Sequence, residues 1–175
     1  MRQDGARRAD TARVRALLVG RRPARTLMRA AVLAVAAVVV FGFVLTPVRG
    51  KGPSMSPAIG DGDFFLVNRL AYTAFSPRRG DIVALRMAGP HVLYVKRIVA
   101  LPAERVRIDA GIVFVEGAAL EEPYVEKRRP WTTREITLGA GEYLVIGDNR
   151  GMAMEHHDFG IVQRARIVGR VVTLR

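Results

Sequence analysis

The chain has 175 residues, enough for one domain of ordinary size and an appendage but not for two full domains. It contains no cysteine, which excludes a disulfide framework, a thiolate metal site and a cysteine nucleophile. The formal net charge of +12 is uneven: residues 1–51 hold eleven Lys or Arg against two acids, and residues 52–175 hold seventeen against fourteen. Because the excess lies in a tail, and no basic, aromatic-interleaved motif accompanies it, no nucleic-acid partner is predicted.

An arginine-rich tail and an uncharged segment open the chain. We interpret residues 1–29 as a basic cytoplasmic tail, and residues 30–48 as a single transmembrane anchor, because Ala30–Thr46 is seventeen residues without a charge. A cleaved signal peptide or a buried helix of a soluble domain are the alternatives. The nine arginines before the segment disfavour both, and their excess predicts a cytoplasmic N-terminus.

The remainder, residues 49–175, is predicted to be one extracytoplasmic antiparallel β domain, barrel-like or sandwich-like, after a Pro/Gly linker at residues 47–53. Its candidate strands are short, rich in Val and Ile and bounded by turn residues. They are Phe64–Asn68, Asp81–Met87, His91–Ala100, Glu104–Asp109, Gly111–Glu116, Glu142–Ile146 and Arg166–Leu174. A tight turn is expected at residues 108–112, where Gly111 can adopt a positive φ.

Two segments contain residues that suggest chemistry. Turn-forming residues flank Ser54 on both sides and could expose its hydroxyl on a strained loop. Lys96 lies between apolar residues of a predicted strand, where burial would disfavour its charged form and lower its pKa. A neutral lysine can accept the proton of a serine hydroxyl. From these residues alone the signal is weak, since a lysine in a strand usually points to solvent.

The same segments, with three others in the same order behind the anchor, resemble the type I signal peptidases. Ser54-Met55-Ser56-Pro57 matches the box around the family nucleophile, and Tyr94-Val95-Lys96-Arg97 matches the box of the general base. The other matches are Gly62–Asn68, Arg79–Val83 and Gly147–Arg150, with a weaker likeness at Val113–Glu116 and at Glu122–Val125. The resemblance covers the chain from the anchor to the C-terminus.

The resemblance implies a serine endopeptidase that removes signal peptides from secretory preproteins without a cofactor. Ser54 would be the nucleophile and Lys96 the general base, and the Ser54 N–H would contribute to the oxyanion hole. Some relatives have a serine two positions before the nucleophile that supplies a second donor; here Gly52 lacks that hydroxyl. The positions that match the oxyanion and substrate-binding residues are Gly52, Pro53, Met55, Ile59, Tyr94 and Val95.

The last of these boxes departs from the family pattern. Ala153 replaces a serine that would hydrogen-bond the lysine, and Glu155 and His157 replace an aspartate and an arginine of a supporting ion pair. We expect the last two replacements to preserve the supporting roles, because the nucleophile Ser54 and the general base Lys96 are both present. The residues expected to support the site are Asp148, Asn149, Arg150, Ala153, Glu155 and His157. A metal site built on the histidines is not predicted, because their spacing fits no ligand pattern, and His157 as an alternative base is the weaker hypothesis.

The sequence therefore predicts a single-pass protein of the cytoplasmic membrane whose partners are preproteins, membrane lipid and, in the same setting, the protein export machinery. Two rivals stay open. One is a peptidase dedicated to a single cargo, such as a conjugative pilin. The other is an impaired relative that binds signal peptides without cutting them.

Overall fold

The computed structural model describes residues 23–87, 93–156 and 160–173. The chain divides into an N-terminal unit, residues 1–42, and a C-terminal unit, residues 43–175. Helix α1 spans Pro23–Val39 and continues as a π-helical turn at Val40–Val44. By length and composition these 22 residues could cross a membrane, with a mean hydropathy of 2.5 and none of the apolar window buried. At 1.5 Å per residue they would span about 33 Å, close to the ~30 Å of a bilayer core.

The helix begins earlier and ends earlier than the predicted anchor. Strand β1 spans Leu45–Arg49. It contains residues 45–48, which were expected in the anchor, and part of the expected linker. This strand pairs antiparallel with β2, which spans Phe64–Asn68. Pairing with β2 satisfies the polar backbone groups of β1 that face β2. Pro47 is tolerated because β1 lies at the edge of its sheet.

The rest of the C-terminal unit is built from antiparallel strands, as predicted. They are β3 (Ile82–Arg86), β4 (Leu93–Ala100), β5 (Arg105–Asp109), β6 (Ile112–Val115), β7 (Ala118–Ala119), β8 (Ile136–Thr137), β9 (Glu142–Ile146), β10 (Gly160–Gln163) and β11 (Ile167–Thr173). Among the described residues they form a seven-stranded sheet, in the order β1-β2-β11-β3-β4-β9-β10, and a four-stranded sheet, in the order β7-β6-β5-β8. The all-β fold class is confirmed.

The seven predicted strands are all present, each within two residues of its predicted ends. Residues 91, 92 and 174 of the predicted strands lie outside the described residues. Four strands were not predicted, namely β1, β7, β8 and β10. β7 and β8 have two residues each, too few to show an alternating pattern, and β10 begins at a glycine.

The turn between β5 and β6 has the predicted geometry. Asp109 and Ile112 are paired across the hairpin, and Gly111 has a φ of +82°. A side chain at Gly111 would also meet the Arg129 carbonyl oxygen at 2.3 Å. This position therefore needs glycine both for its backbone conformation and for the close approach of a neighbouring segment.

Apolar side chains pack into three clusters that follow the sheets. One joins both sheets through residues of β4, β5, β6 and β9, and includes Trp131. A second lies on β3, β4, β9 and β10. The third contains Met55 and Ile59 from the segment between β1 and β2, packed with Phe65, Val67 and Ala84. This third cluster supports the candidate site.

Candidate active site

Ser54 lies in a turn-rich segment between β1 and β2, residues 50–63, which we call the Ser54 loop. The loop is closed at its base by two backbone hydrogen bonds between its ends. The Gly50 N–H donates to the Asp63 carbonyl at 2.8 Å, and the Gly62 N–H donates to the Gly50 carbonyl at 3.1 Å. Within the loop, the Ser56 N–H donates to the Pro53 carbonyl at 3.1 Å. The loop is thus a closed structure rather than a loose connection, and Ser54 is half-buried in it.

Two apolar side chains anchor the Ser54 loop in the core. Met55 and Ile59 are 3% and 4% exposed and belong to the third core cluster. The Ile59 N–H also donates to the Met55 carbonyl at 2.9 Å. Because the anchor residue Met55 follows Ser54 directly, the position of the serine is coupled to the packing of the core.

Lys96 is held by regular strand geometry. It lies in the middle of β4, opposite Val83 of β3, and only 2% of its surface is exposed. Its neighbours Leu93 and Val95 pack against the third core cluster, and Tyr94 packs against the second. Few lysines are this buried, and an amine in such surroundings is a candidate for chemistry rather than for solubility.

Ser54 and Lys96 line the same cleft, which has a volume of about 370 Å³. All six residues predicted to bind substrate or the oxyanion line it too: Gly52, Pro53, Met55, Ile59, Tyr94 and Val95. The sequence did not single out the remaining lining residues, which are Val48, Arg49, Gly50, Lys51, Gly60, Phe65, Leu93 and Met152. Leu93 could have been found from its two-residue spacing from Val95 in the strand.

The turn after β9 contacts both the Ser54 loop and strand β4, which contains Lys96. The Asn149 backbone N–H donates to the Ser54 carbonyl at 3.1 Å, and the Asn149 side-chain amide donates to the Pro53 carbonyl at 3.1 Å. The preceding residue, Asp148, accepts two hydrogen bonds from Arg97, at 2.8 and 2.5 Å. Arg97 is the residue after Lys96, so two adjacent residues of one turn bind the Ser54 loop and the lysine strand together.

Arg97 is almost enclosed by its partners. Its guanidinium also donates to the Gly80 carbonyl at 2.8 Å and lies 4.0 Å above the centre of the Tyr124 ring. Burial works to lower the pKa of Arg97, but the hydrogen bonds and charge of Asp148 outweigh it, and the pKa is raised. The arginine is therefore a permanent cation whose counterion, Asp148, is 1% exposed. The resemblance implied a role for Asp148, but Arg97 as its partner was missed.

Arg150 also stabilises the turn after β9. Its guanidinium donates to the Gly147 carbonyl at 3.1 Å and forms an ion pair with the buried carboxylate of Glu122. Burial lowers the pKa of Arg150, and the Glu122 charge opposes that effect. Burial, with the Glu122 charge beside it, also raises the pKa of Tyr124. The predicted support by Arg150 therefore acts on the turn through Glu122, a contact that the sequence did not indicate.

The remaining predicted supporting residues are less closely tied to the cleft. Ala153 is half-buried, and Glu155 is exposed in a 3-10 helix at Met154–His156. His157 lies outside the described residues, so its pairing with Glu155 stays a prediction.

A half-buried serine and a buried lysine that line one cleft of an antiparallel β domain define a candidate serine hydrolase of the Ser/Lys class. The chain belongs to the signal peptidase family, peptidase S26, whose family model matches residues 24–174.

Two relatives agree with this membership by sequence. The chain is 30% identical over 152 residues to a protein of Synechocystis sp. named "Probable signal peptidase I-2", covering 83% of this chain and 68% of the relative. It is 30% identical over 160 residues to signal peptidase IB of Staphylococcus aureus, covering 79% and 83%. The crystal structure of a signal peptidase I from Enterococcus faecalis V583 matches with 27% identity and a TM-score of 0.43, over 55% of this chain and 97% of that one. The family and the apolar N-terminal helix together indicate a membrane-anchored protein.

Proposed function

We propose that this protein is a membrane-anchored serine endopeptidase that removes signal peptides from exported preproteins, with Ser54 as nucleophile and Lys96 as general base. The observation that carries the proposal is that Ser54 and Lys96 line one cleft in a chain of the signal peptidase family. The nine arginines before Ala30 support an orientation with the N-terminus in the cytoplasm and the β domain outside it.

The chemistry follows from the two side chains. Neutral Lys96 takes the proton of the Ser54 hydroxyl while its oxygen attacks the scissile carbonyl. The negative charge that develops on the carbonyl oxygen is stabilised by the Ser54 N–H. In the part of the chain that the structure describes, this N–H donates to no other acceptor. Lys96 then gives the proton to the leaving amine, and water hydrolyses the acyl-enzyme with Lys96 again as base.

The way in which β4 is paired supports an extended substrate. Residues 93–97 of β4 pair with β3 on one side. On the other side, pairing with β9 starts only at Arg97, opposite Ile146. Among the described strands, none pairs with Leu93–Lys96 on that side, which lines the cleft. A peptide can add there as a strand, with main-chain hydrogen bonds for affinity and side-chain pockets for specificity.

The lining of the cleft supports a preference for small apolar side chains next to the cut. Met55 and Ile59 form part of its wall and are fixed in the core, so they leave limited space for a larger side chain. This is a property expected of an enzyme that cuts after small residues, and it needs no charged partner in the substrate.

Cleavage of a model preprotein with a small-x-small site by detergent-solubilised full-length protein tests the proposal. Cleavage after the small residue is expected for wild type and is expected to fall by about 10³-fold or more in Ser54→Ala and in Lys96→Ala. Ser56→Ala and Lys127→Ala are matched controls and should retain activity. Since the base must be neutral, the rate should rise with pH between roughly pH 6 and pH 10.

The alternatives predict different results. A wild-type protein that cuts only one cargo protein of the same genome would establish the dedicated peptidase. A protein that binds signal peptides but cuts none would establish the impaired relative, and a flat pH profile would contradict Lys96 as the base.

A further inference from the structure

An aspartate of the Ser54 loop makes a contact just upstream of the nucleophile. The Gly52 N–H donates to the Asp61 carboxylate at 2.8 Å, across nine residues of chain. Gly52 has a φ of +89°, a backbone conformation that favours glycine. A hydrogen bond from an N–H group to a carboxylate is stronger than one between neutral groups. Glycine can adopt many backbone conformations. The contact with Asp61 therefore fixes the orientation of Gly52, which the residue itself leaves open.

The orientation of Gly52 is passed on to Ser54 by the residue between them. Pro53 has a fixed φ and no N–H, so it cannot absorb a change at Gly52 by a large backbone rotation or make a compensating donor bond. On the other side, Asn149 holds the Pro53 and Ser54 carbonyls. The main chain of Ser54 is thus fixed between two contacts, and the one on its N-terminal side is made by Asp61.

The hydrogen bond between Gly52 and Asp61 also bears on the serine hydroxyl that some relatives have at this position and that this chain lacks. A serine at position 52 would meet open space, since no heavy atom lies within 4 Å of a Cβ built on Gly52. It would nevertheless be strained at a φ of +89°. The Gly52 N–H is also occupied by Asp61 and so does not serve as the second oxyanion donor in this arrangement. The Ser54 N–H remains as the backbone donor, and its direction matters correspondingly more.

We propose that Asp61 is a positioning residue for the reaction: it holds Gly52 and thereby aims the Ser54 N–H and hydroxyl at the scissile carbonyl. This rests on the proposed function of Ser54. Asp61 is exposed, so its effect is on the geometry of the loop rather than on the stability of the fold.

The test compares Asp61→Ala and Asp61→Asn with wild type in the preprotein assay, with Asp109→Ala as a control at another exposed aspartate. In Asp61→Ala, kcat should fall about 10- to 100-fold, the range in which small misplacements affect rates, while KM and the unfolding temperature stay unchanged. Asp61→Asn keeps an acceptor oxygen and should retain more than half of kcat. Gly52→Ser should lower kcat rather than raise it.

A second readout separates this proposal from the proposed function. Amide hydrogen exchange of peptides covering residues 50–56, measured in the inactive Ser54→Ala protein, should become faster on adding Asp61→Ala and not on adding Asp61→Asn. If wild type cleaves nothing, the proposed function fails and the exchange experiment still decides the contact. If exchange and kcat are both unchanged in Asp61→Ala, or if KM and the unfolding temperature change as much as kcat does, the positioning role is overturned.

Discussion

The two halves of the cleft are held in place by different forces. The Ser54 loop is anchored in the core by Met55 and Ile59, but the residues before Ser54 depend on hydrogen bonds at exposed or half-buried positions, such as those of Gly52 with Asp61 and of Pro53 with Asn149. Lys96 lies inside a strand that is paired with β3 and is 2% exposed. The serine is therefore placed in part by contacts that can change without unfolding the domain, whereas the lysine is placed by the paired strand and the core. Substitutions of the residues that hydrogen-bond the Ser54 loop should affect rate, and those of the buried ion pair that holds the lysine strand should affect stability.

The largest effect on rate that leaves the fold intact is expected for Lys96→Met. Methionine fills similar space but cannot accept a proton, so cleavage should fall by about 10³-fold or more. The unfolding temperature should stay the same or rise, because the core no longer contains an amine. The preprotein assay and thermal unfolding in the same detergent check both parts. A large loss of stability would mean that the lysine is itself a structural element of β4.

The largest effect on stability is expected for Asp148→Ala. The Arg97–Asp148 pair has side chains that are 13% and 0% exposed, and removal of the acid leaves a buried cation without its counterion. Breaking such a pair costs about 3–5 kcal/mol of unfolding free energy. Urea-induced unfolding measures it.

Asp109→Ala is the matched control for that measurement. It breaks the pair between Arg107 and Asp109, whose side chains are 34% and 56% exposed, and should cost roughly 0–1 kcal/mol. Equal losses in the two variants would show that burial does not decide the strength of these pairs.

A smaller effect, on rate, is expected for Asn149→Ala. The variant loses the side-chain bond to the Pro53 carbonyl but keeps the backbone bond to the Ser54 carbonyl. One neutral hydrogen bond contributes about 1 kcal/mol, so kcat should fall roughly tenfold or less, with little change in stability. Asn68→Ala removes a comparable local bond, to the Leu70 N–H, outside the cleft and should leave kcat unchanged. A normal kcat in Asn149→Ala would assign the contribution of Asn149 to the alignment of the loop to its backbone bond.

Strand alternation and family motifs were sufficient for most of the fold. The ends of β2 and β9 were predicted without error, because both are apolar runs bounded by turn residues. The end of the apolar helix was not, because the apolar character of Leu45–Val48 was taken as part of the anchor although Pro47 disfavours a helix there. Its strand conformation depends on pairing with β2, which lies more than a dozen residues further along the chain.

The sequence by itself determined the family and the candidate residues of the site, because Ser54, Lys96 and their flanking residues form local motifs that can be recognised without a fold. Only the tertiary structure decided which distant groups hold them. The Arg97–Asp148 pair joins residues 51 positions apart, and the bond from Asn149 to Pro53 joins residues 96 positions apart. Such partners are brought together by the register of β4 and β9 and by the turn that follows β9. Local periodicity contains no information about contacts of that range, since they arise only when the strands pair.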